Sequence, residues 1–362
     1  MSPSDDEIQT VSQRLERFTG QQLSAMAPLG SEAALFLRAG ADALAGGKRL
    51  RARFCLTGWR AVAEASGRPA PFTDDVVAAA AALEVFHAAA LVHDDLVDNS
   101  DTRRGRPAAH RAFEATHTAH TWAGDAAGFG RSAAILLGDL LVAWSDDLFE
   151  EGLLASAHAA AARAEYARMR RDVTVGQFLD VAEEAAFITA PDGEHAERAL
   201  RVASFKSARY SVQQPLLIGA VLAGADAEQY ASLSGFGHPL GIAFQLRDDV
   251  LGVFGDSAVT GKPVGDDLRE GKRTLLVAYT RERLGAGARQ LFDELVGDPT
   301  LDAGQVAALQ GTIADAGALE RVEQLITENA EAADRALRGA RLGHGAVGAL
   351  RDLAQAATAR AS

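Results

Sequence analysis

Two aspartate-rich stretches, Asp94-Asp95-Leu96-Val97-Asp98 and Asp248-Asp249-Val250-Leu251-Gly252, each end an apolar run with helical spacing. Residues four apart on a helix share a face, so Asp94 and Asp98 point the same way, with carboxylates close enough to share hard cations. Leu96 and Val97 then turn away and pack. Alone, such a cluster says little in a chain with 49 acidic residues, where a solvated helix end is the ordinary explanation. The second acidic pair, again behind a helical stretch (Phe244, Gln245, Leu246), weighs against that explanation. Two such helices facing each other would offer magnesium its preferred oxygen ligands and leave the other positions to water and phosphate.

The residues around these clusters add cations. Arg103 and Arg104, in Thr102-Arg103-Arg104-Gly105-Arg106-Pro107, follow the first cluster directly, and arginine's planar fork fits phosphate oxygens two at a time. Upstream, Gly46-Gly47-Lys48-Arg49-Leu50-Arg51 sets further cations at a glycine-rich helix start, where backbone N–H groups and the helix dipole also favour anions. A second anion site is implied. His87, seven residues before Asp94, shares its helix face and suits a phosphate. Nucleic acid is an unfitting partner for a chain of net charge -13.

In order and spacing, residues 46–51, 84–107, Gly138-Asp139, Phe205-Lys206-Ser207, 244–256 and 261–275 resemble the trans-isoprenyl diphosphate synthases, the polyprenyl synthetase family. The resemblance implies that Lys48, Arg51, His87 and Arg104 hold the diphosphate of isopentenyl diphosphate. It implies that Asp94 and Asp98 bind magnesium, that Asp248 takes a third magnesium ion, and that Arg103, Lys206 and Lys262 hold an allylic diphosphate (dimethylallyl, geranyl or farnesyl). Ser207 and Gln245 would stand beside the developing allylic cation, and two copies would form a homodimer through long helices. One position departs from the family: Gly252 stands where many relatives carry aspartate, and Asp256 is the next carboxylate along the chain. Relatives that stop at 15 carbons often carry aromatics where this chain has Ala89 and Ala90, so Phe86, a turn lower, becomes the expected floor and geranylgeranyl diphosphate the expected product. Farnesyl and longer polyprenyl synthases stay open. So do a class I terpene cyclase, which needs no second anion site, and a non-catalytic regulatory subunit, which has no need of Asp94 and Asp98.

Among 362 residues, 48% apolar, alanine- and leucine-rich segments repeat with helical spacing and alternating strands are nearly absent. The expectation is an all-α helical bundle around a central cavity, one domain over 1–362 with disordered ends at 1–6 and 355–362. Helices are expected at 7–25, 31–42, 48–66, 73–98, 130–149, 152–184, 193–222, 226–252, 273–283, 285–296, 304–318 and 319–340. Residues 101–131 read as a mobile loop with short helical pieces, its surface carrying His110, His117, His120 and Trp122. The lone Cys55 reads as core, which excludes an internal disulfide framework. An acidic N-terminus without an apolar stretch, and no expected membrane span, point to the cytoplasm. His93 is expected to support the first cluster through a hydrogen bond rather than ligate metal, and Asp139 to be structural. Arg269, Lys272 and Arg273 fit either a diphosphate lid or a solvated charge run.

Overall fold

Alanine-rich apolar stretches wind into helices from one end of the described chain to the other. The computed structural model describes residues 3–68, 71–103, 105–256 and 264–358; Arg104 and Lys262, both named above, lie outside the described residues. In chain order the helices are α1 Pro3–Met26, α2 Ser31–Ala43, α3 Leu50–Ala65, α4 Asp74–Val97, α5 Ala109–Ala119, α6 Ala126–Leu153, α7 Ala159–Ala186 and α8 His195–Val202. A π-helical segment, Ala203–Gln213, leads into α9 Gln214–Leu222 and α10 Ala227–Phe254. Then come α11 Asp266–Glu270, α12 Leu275–Arg283, α13 Ala286–Leu295, α14 Ala303–Asp315, α15 Ala318–Leu337 and α16 His344–Thr358. Among the described residues the only strands are β1 Thr102–Arg103 and β2 Arg106–Pro107, paired antiparallel. The fold is all-α, as expected.

Helix α4 runs through the middle. Its run from Val76 to Val85 is buried without a gap, and the small alanines Ala78 to Ala82 let α6 lie close along it. One apolar cluster joins α3, α4, α6 and α9 with Cys55 inside it. A second lies under α10, α12, α14 and α15. The two acidic clusters fall at the C-terminal ends of α4 and α10, where the apolar faces run out.

Several expectations need correction. Residues 101–131, expected as a loop with short helical pieces, are more regular than that: the hairpin β1–β2, the helix α5 and the start of α6 at Ala126 occupy most of the stretch. His110 and His117 are buried rather than on the surface, because with Phe113 they share the inward face of α5. His120 is exposed and packs its ring on Trp122 at 5.1 Å. The chain is helical at 3–6 and at 355–358, where disorder was expected, and α16 was not anticipated. The stretch 193–222 changes register in its middle, just ahead of Pro215, which has no N–H to give to Ser211. Two helices, α4 and α6, are long and apolar enough to cross a membrane by length and composition, against the expectation of none. For α4 the cause is burial, since 78% of its apolar window lies inside the protein; α6 buries 33%.

The start of α3 is held from outside. Arg49 precedes it with a left-handed φ of 49°, and no side chain of its own caps the helix. Glu84 of α4 supplies the missing acceptor, taking the Ala52 N–H at 3.0 Å. Its other oxygen lies 3.7 Å from Arg49, whose guanidinium donates to the Leu44 carbonyl at 2.5 Å. Both side chains of the pair are buried. Removing one partner of a buried pair leaves an uncompensated charge, a loss of ~3–5 kcal/mol. Glu84→Leu is therefore expected to lower the unfolding free energy in urea by about that amount, and Glu84→Gln, which keeps an oxygen for Ala52, by less. A loss below about 1 kcal/mol for Glu84→Leu would show that the pair does not hold the helix start.

Candidate active site

A cavity of about 890 Å³ opens between α3, α4, the π-helical segment, α10 and the α11–α12 loop. Successive residues on a helix turn by about 100°, so α4 presents Glu84, His87, Ala88, Leu91 and Asp94 to it. The π-helical segment adds Ala203, Lys206, Ser207 and Ser211, and α10 adds Phe244, Gln245, Asp248, Asp249 and Gly252. Lys48 and Arg51 stand on the opposite side, at the start of α3, and Arg103 lines the wall near Asp94. The structure thus brings Lys48, Arg51, His87, Asp94, Arg103, Lys206, Ser207, Gln245 and Asp248 to one cavity. Asp98 caps α4 one turn beyond Asp94.

The first acidic cluster is surrounded by donors. Gln177 of α7 donates to Asp94 at 2.8 Å. Lys206 lies 3.7 Å from Asp94 and pairs with Asp180 of α7, and Arg103 Nη2 lies 3.9 Å from Asp94. Asp95, by contrast, turns inward, is buried, and takes Arg103 Nε–H at 2.7 Å, which fixes that guanidinium beside the cavity. Burial, and then the charge of Asp94, pushes the Asp98 carboxyl up to about 6. Burial, with Asp180 and Asp98 nearby, pushes Glu184 of α7 up to about 7. Burial opposes the charge on Lys206, yet Asp180 and Asp94 raise it above the usual lysine range. Burial and carboxylate crowding thus act together against charge on Asp98 and Glu184, and an added cation would relieve both.

On the facing wall, Asp248 reaches the cavity, whereas Asp249 is buried and accepts from Gln245 at 2.7 Å. Burial, then the neighbouring Asp267, pushes Asp249 up to about 8. Asp94 and Asp248 offer carboxylate oxygens on the two walls, which suit magnesium. Among the described residues no three His, Cys, Asp or Glu side chains converge on a single point.

At the start of α3 the cavity is cationic, with Lys48, Arg49 and Arg51 around the buried Glu84. Arg51 donates to Ser211 at 2.7 Å and lies over the Tyr210 ring at 4.3 Å, while its buried Nε–H has no protein partner. Tyr210 in turn lies 3.2 Å from His87 Nδ1. These contacts fix Arg51 and His87 toward the cavity.

Other expected residues take different places. Phe86, Ala89 and Ala90 lie off the cavity wall, on the α4 flank that faces α6 and α7. Phe86 is buried edge-on against Tyr166 and Tyr210, with ring centres 6.5 and 5.9 Å apart. His93 points to α6, with Nε2 3.6 Å from Asp139 and 3.3 Å from the Ile135 carbonyl, so Asp139 pairs with that histidine. Lys272 lines the cavity, 3.1 Å from Asp267, while Arg269 donates to the Val264 and Leu301 carbonyls. Arg273 lies over the Phe187 ring at 3.4 Å, and burial lowers it to about 10. None of the three is a solvated charge.

Sequence reasoning assigned no role to Glu84, Gln177, Asp180 and Asp267. Gln177 and Asp180 carried a signal: they follow Gly176 at helical spacing, and a Cβ on Gly176 would overlap the Phe205–Lys206 backbone. Close approach of α7 to the π-helical segment is what brings Asp180 to Lys206.

The comparisons with known proteins agree with this geometry. The sequence signature of the polyprenyl synthetase family matches residues 34–313. The chain is 34% identical to the geranylfarnesyl diphosphate synthase of Aeropyrum pernix, over 77% of this chain and 79% of that one. It is 33% identical to a geranylgeranyl diphosphate synthase of Mycobacterium tuberculosis, over 73% and 69% of the two chains. A solved geranylgeranyl pyrophosphate synthase from Corynebacterium glutamicum, complexed with isoprenyl diphosphate and magnesium, superposes with a TM-score of 0.91 at 37% identity and covers 98% of each chain. The chain belongs to the polyprenyl synthetase family and is an isoprenyl diphosphate synthase, a transferase.

Proposed function

We propose that this protein joins isopentenyl diphosphate head to tail to an allylic diphosphate and that its main product is geranylgeranyl diphosphate. The observation that carries the reading is one cavity with an acidic end, at Asp94 and Asp248, and a cationic end, at Lys48, Arg49 and Arg51, where the only acidic side chain among the described lining residues is Glu84, beside Arg49. Asp94, Asp98 and Asp248 would hold magnesium, in three ions, and Arg103, Lys206 and Lys262 the allylic diphosphate. Bound there, magnesium supplies charge that stabilises the departing diphosphate. Lys206 and Arg103 add fixed positive charge to the same oxygens as the carbon–oxygen bond breaks. Ser207 and Gln245 face the allylic cation, and the apolar side chains Ala88, Leu91 and Phe244 keep water from it. Lys48, Arg51, His87 and Arg104 anchor isopentenyl diphosphate so that its double bond meets the cation, and the departed diphosphate takes the proton lost afterwards.

The product length rests on α4. Phe86, Ala89 and Ala90 lie off the cavity wall, so the growing tail would have to pass from the cavity along that flank of α4, where Ala89 and Ala90 leave no bulky side chain and Phe86, backed by Tyr166 and Tyr210, is the first large ring. The rest of the proposal is a single catalytic domain, a cytoplasmic location and a homodimer. Ile135 and Leu136 of α6 and Val175, Phe178 and Val181 of α7 are exposed, and a second copy of the chain would cover them.

Incubation with magnesium, labelled isopentenyl diphosphate and a series of allylic diphosphates tests the reaction. Chain-extended diphosphate is expected; cyclised hydrocarbon would identify a cyclase, and no turnover a regulatory subunit. Asp94→Ala should lower kcat by about a thousandfold or more while the thermal melt stays near that of the parent. For product length, Ala90→Phe is expected to shift the dephosphorylated products to 15 carbons and Phe86→Ala to lengthen them. An unchanged chromatogram in both variants would remove this flank of α4 from chain-length control.

A further inference from the structure

We propose that Asp101, gripped by Arg111 and His110 of α5, is a positioning residue for Arg103: it latches the β1–β2 hairpin that carries Arg103 to the wall of the cavity. The hairpin leaves α4 directly after the first acidic cluster. Asn99, with a left-handed φ of 52°, ends the helix, and the Ser100 N–H reaches back to the Asp95 carbonyl at 2.9 Å, a common closure of helix C-termini. Thr102 then faces Pro107 and Arg103 faces Arg106. A hairpin of two-residue strands does not hold its own shape in water, so its place comes from its attachments.

Those attachments meet at Asp101. Its carbonyl accepts the Ala108 N–H at 2.9 Å, which closes the base of the hairpin where α5 begins. Helix α5 has no capping side chain at Ala108. The Asp101 carboxylate instead meets side chains of the first turn of α5, where negative charge also suits the helix dipole. It accepts from Arg111 Nε at 2.7 Å. His110 Nε2 stands 3.8 Å from the same oxygen, and the ring is buried with no partner for Nδ1 among the described residues, so Asp101 is the group the imidazole faces. Helix α5 is a firm anchor because it lies close on α6: a Cβ on Gly130 would stand 2.3 Å from the His110 carbonyl oxygen. Helix α6 packs in turn along α4. Asp95 thus fixes the guanidinium of Arg103, and Asp101 fixes its backbone, both by reference to the helix that bears Asp94.

The side chains of Asp101 and Arg111 are 64% and 43% exposed, and a pair so exposed adds little to global stability. Its effect falls on local opening of the hairpin. The identity of the ligand, and nothing else here, rests on the proposed function. The test compares the parent with Asp101→Asn, Arg111→Gln, Arg103→Ala and the double variant Asp101→Asn/Arg103→Ala, with calorimetry reading magnesium-dependent binding of inorganic diphosphate. Asp101→Asn and Arg111→Gln should each weaken that binding by about two- to fivefold and still melt within about 2 °C of the parent. In the Arg103→Ala background, Asp101→Asn should cost less than about 1.5-fold, because no guanidinium is left to place. A loss below about twofold for Asp101→Asn, or a loss as large without Arg103 as with it, overturns the proposal. If the parent makes no extended product, the proposed function fails, and the binding series still decides the role of Asp101.

Discussion

Asp94 lines a cavity with apolar side chains on its walls, Asp98 stands one turn beyond it, and burial together with the charge of Asp94 raises the cost of charge on Asp98. The arrangement holds only because cations are fixed around it. Lys206 reaches Asp94 from the π-helical segment, Gln177 donates to it from α7, and Arg103 is tied beside it through Asp95. Even so, burial and then the neighbouring carboxylates keep Asp98 and Glu184 above the usual carboxylate range. A cation placed among these carboxylates would offset both effects.

The same helix ties the two halves of the cavity together. Glu84, His87 and Asp94 share one face of α4. Glu84 pins the start of α3, where Lys48 and Arg51 stand, while Asp94 marks the opposite anion site. The distance between the two sites is therefore set by a single rigid rod buried in the apolar core. A condensation between two bound diphosphates needs such a fixed separation, because the reacting carbons must meet while their charged ends stay apart.

What could be read in the sequence was whatever repeats at helical spacing. The acidic pairs, the position of His87 and the all-α class follow from three- and four-residue periodicities. The burial of His110 and His117 obeys the same rule with Phe113, but a run of Gly and Pro nearby made the segment look irregular. Partners set by tertiary contact left no such trace. Asp267 meets Gly252 only because α11 folds back on α10, and Glu84 meets Ala52 only because α3 and α4 lie side by side. The register shift at Ala203–Gln213 escaped because a π-helical turn has no period of its own in a short segment.

The account stands or falls on two diphosphate sites in one cavity that differ in their need for metal. Titration calorimetry with isopentenyl diphosphate and with a non-reactive allylic diphosphate analogue, each with and without magnesium, measures this directly. The account predicts that isopentenyl diphosphate binds without magnesium, that the allylic analogue binds only with it, and that both occupy the protein at once. Mutual exclusion of the two ligands, or an equal demand for magnesium by both, would contradict it.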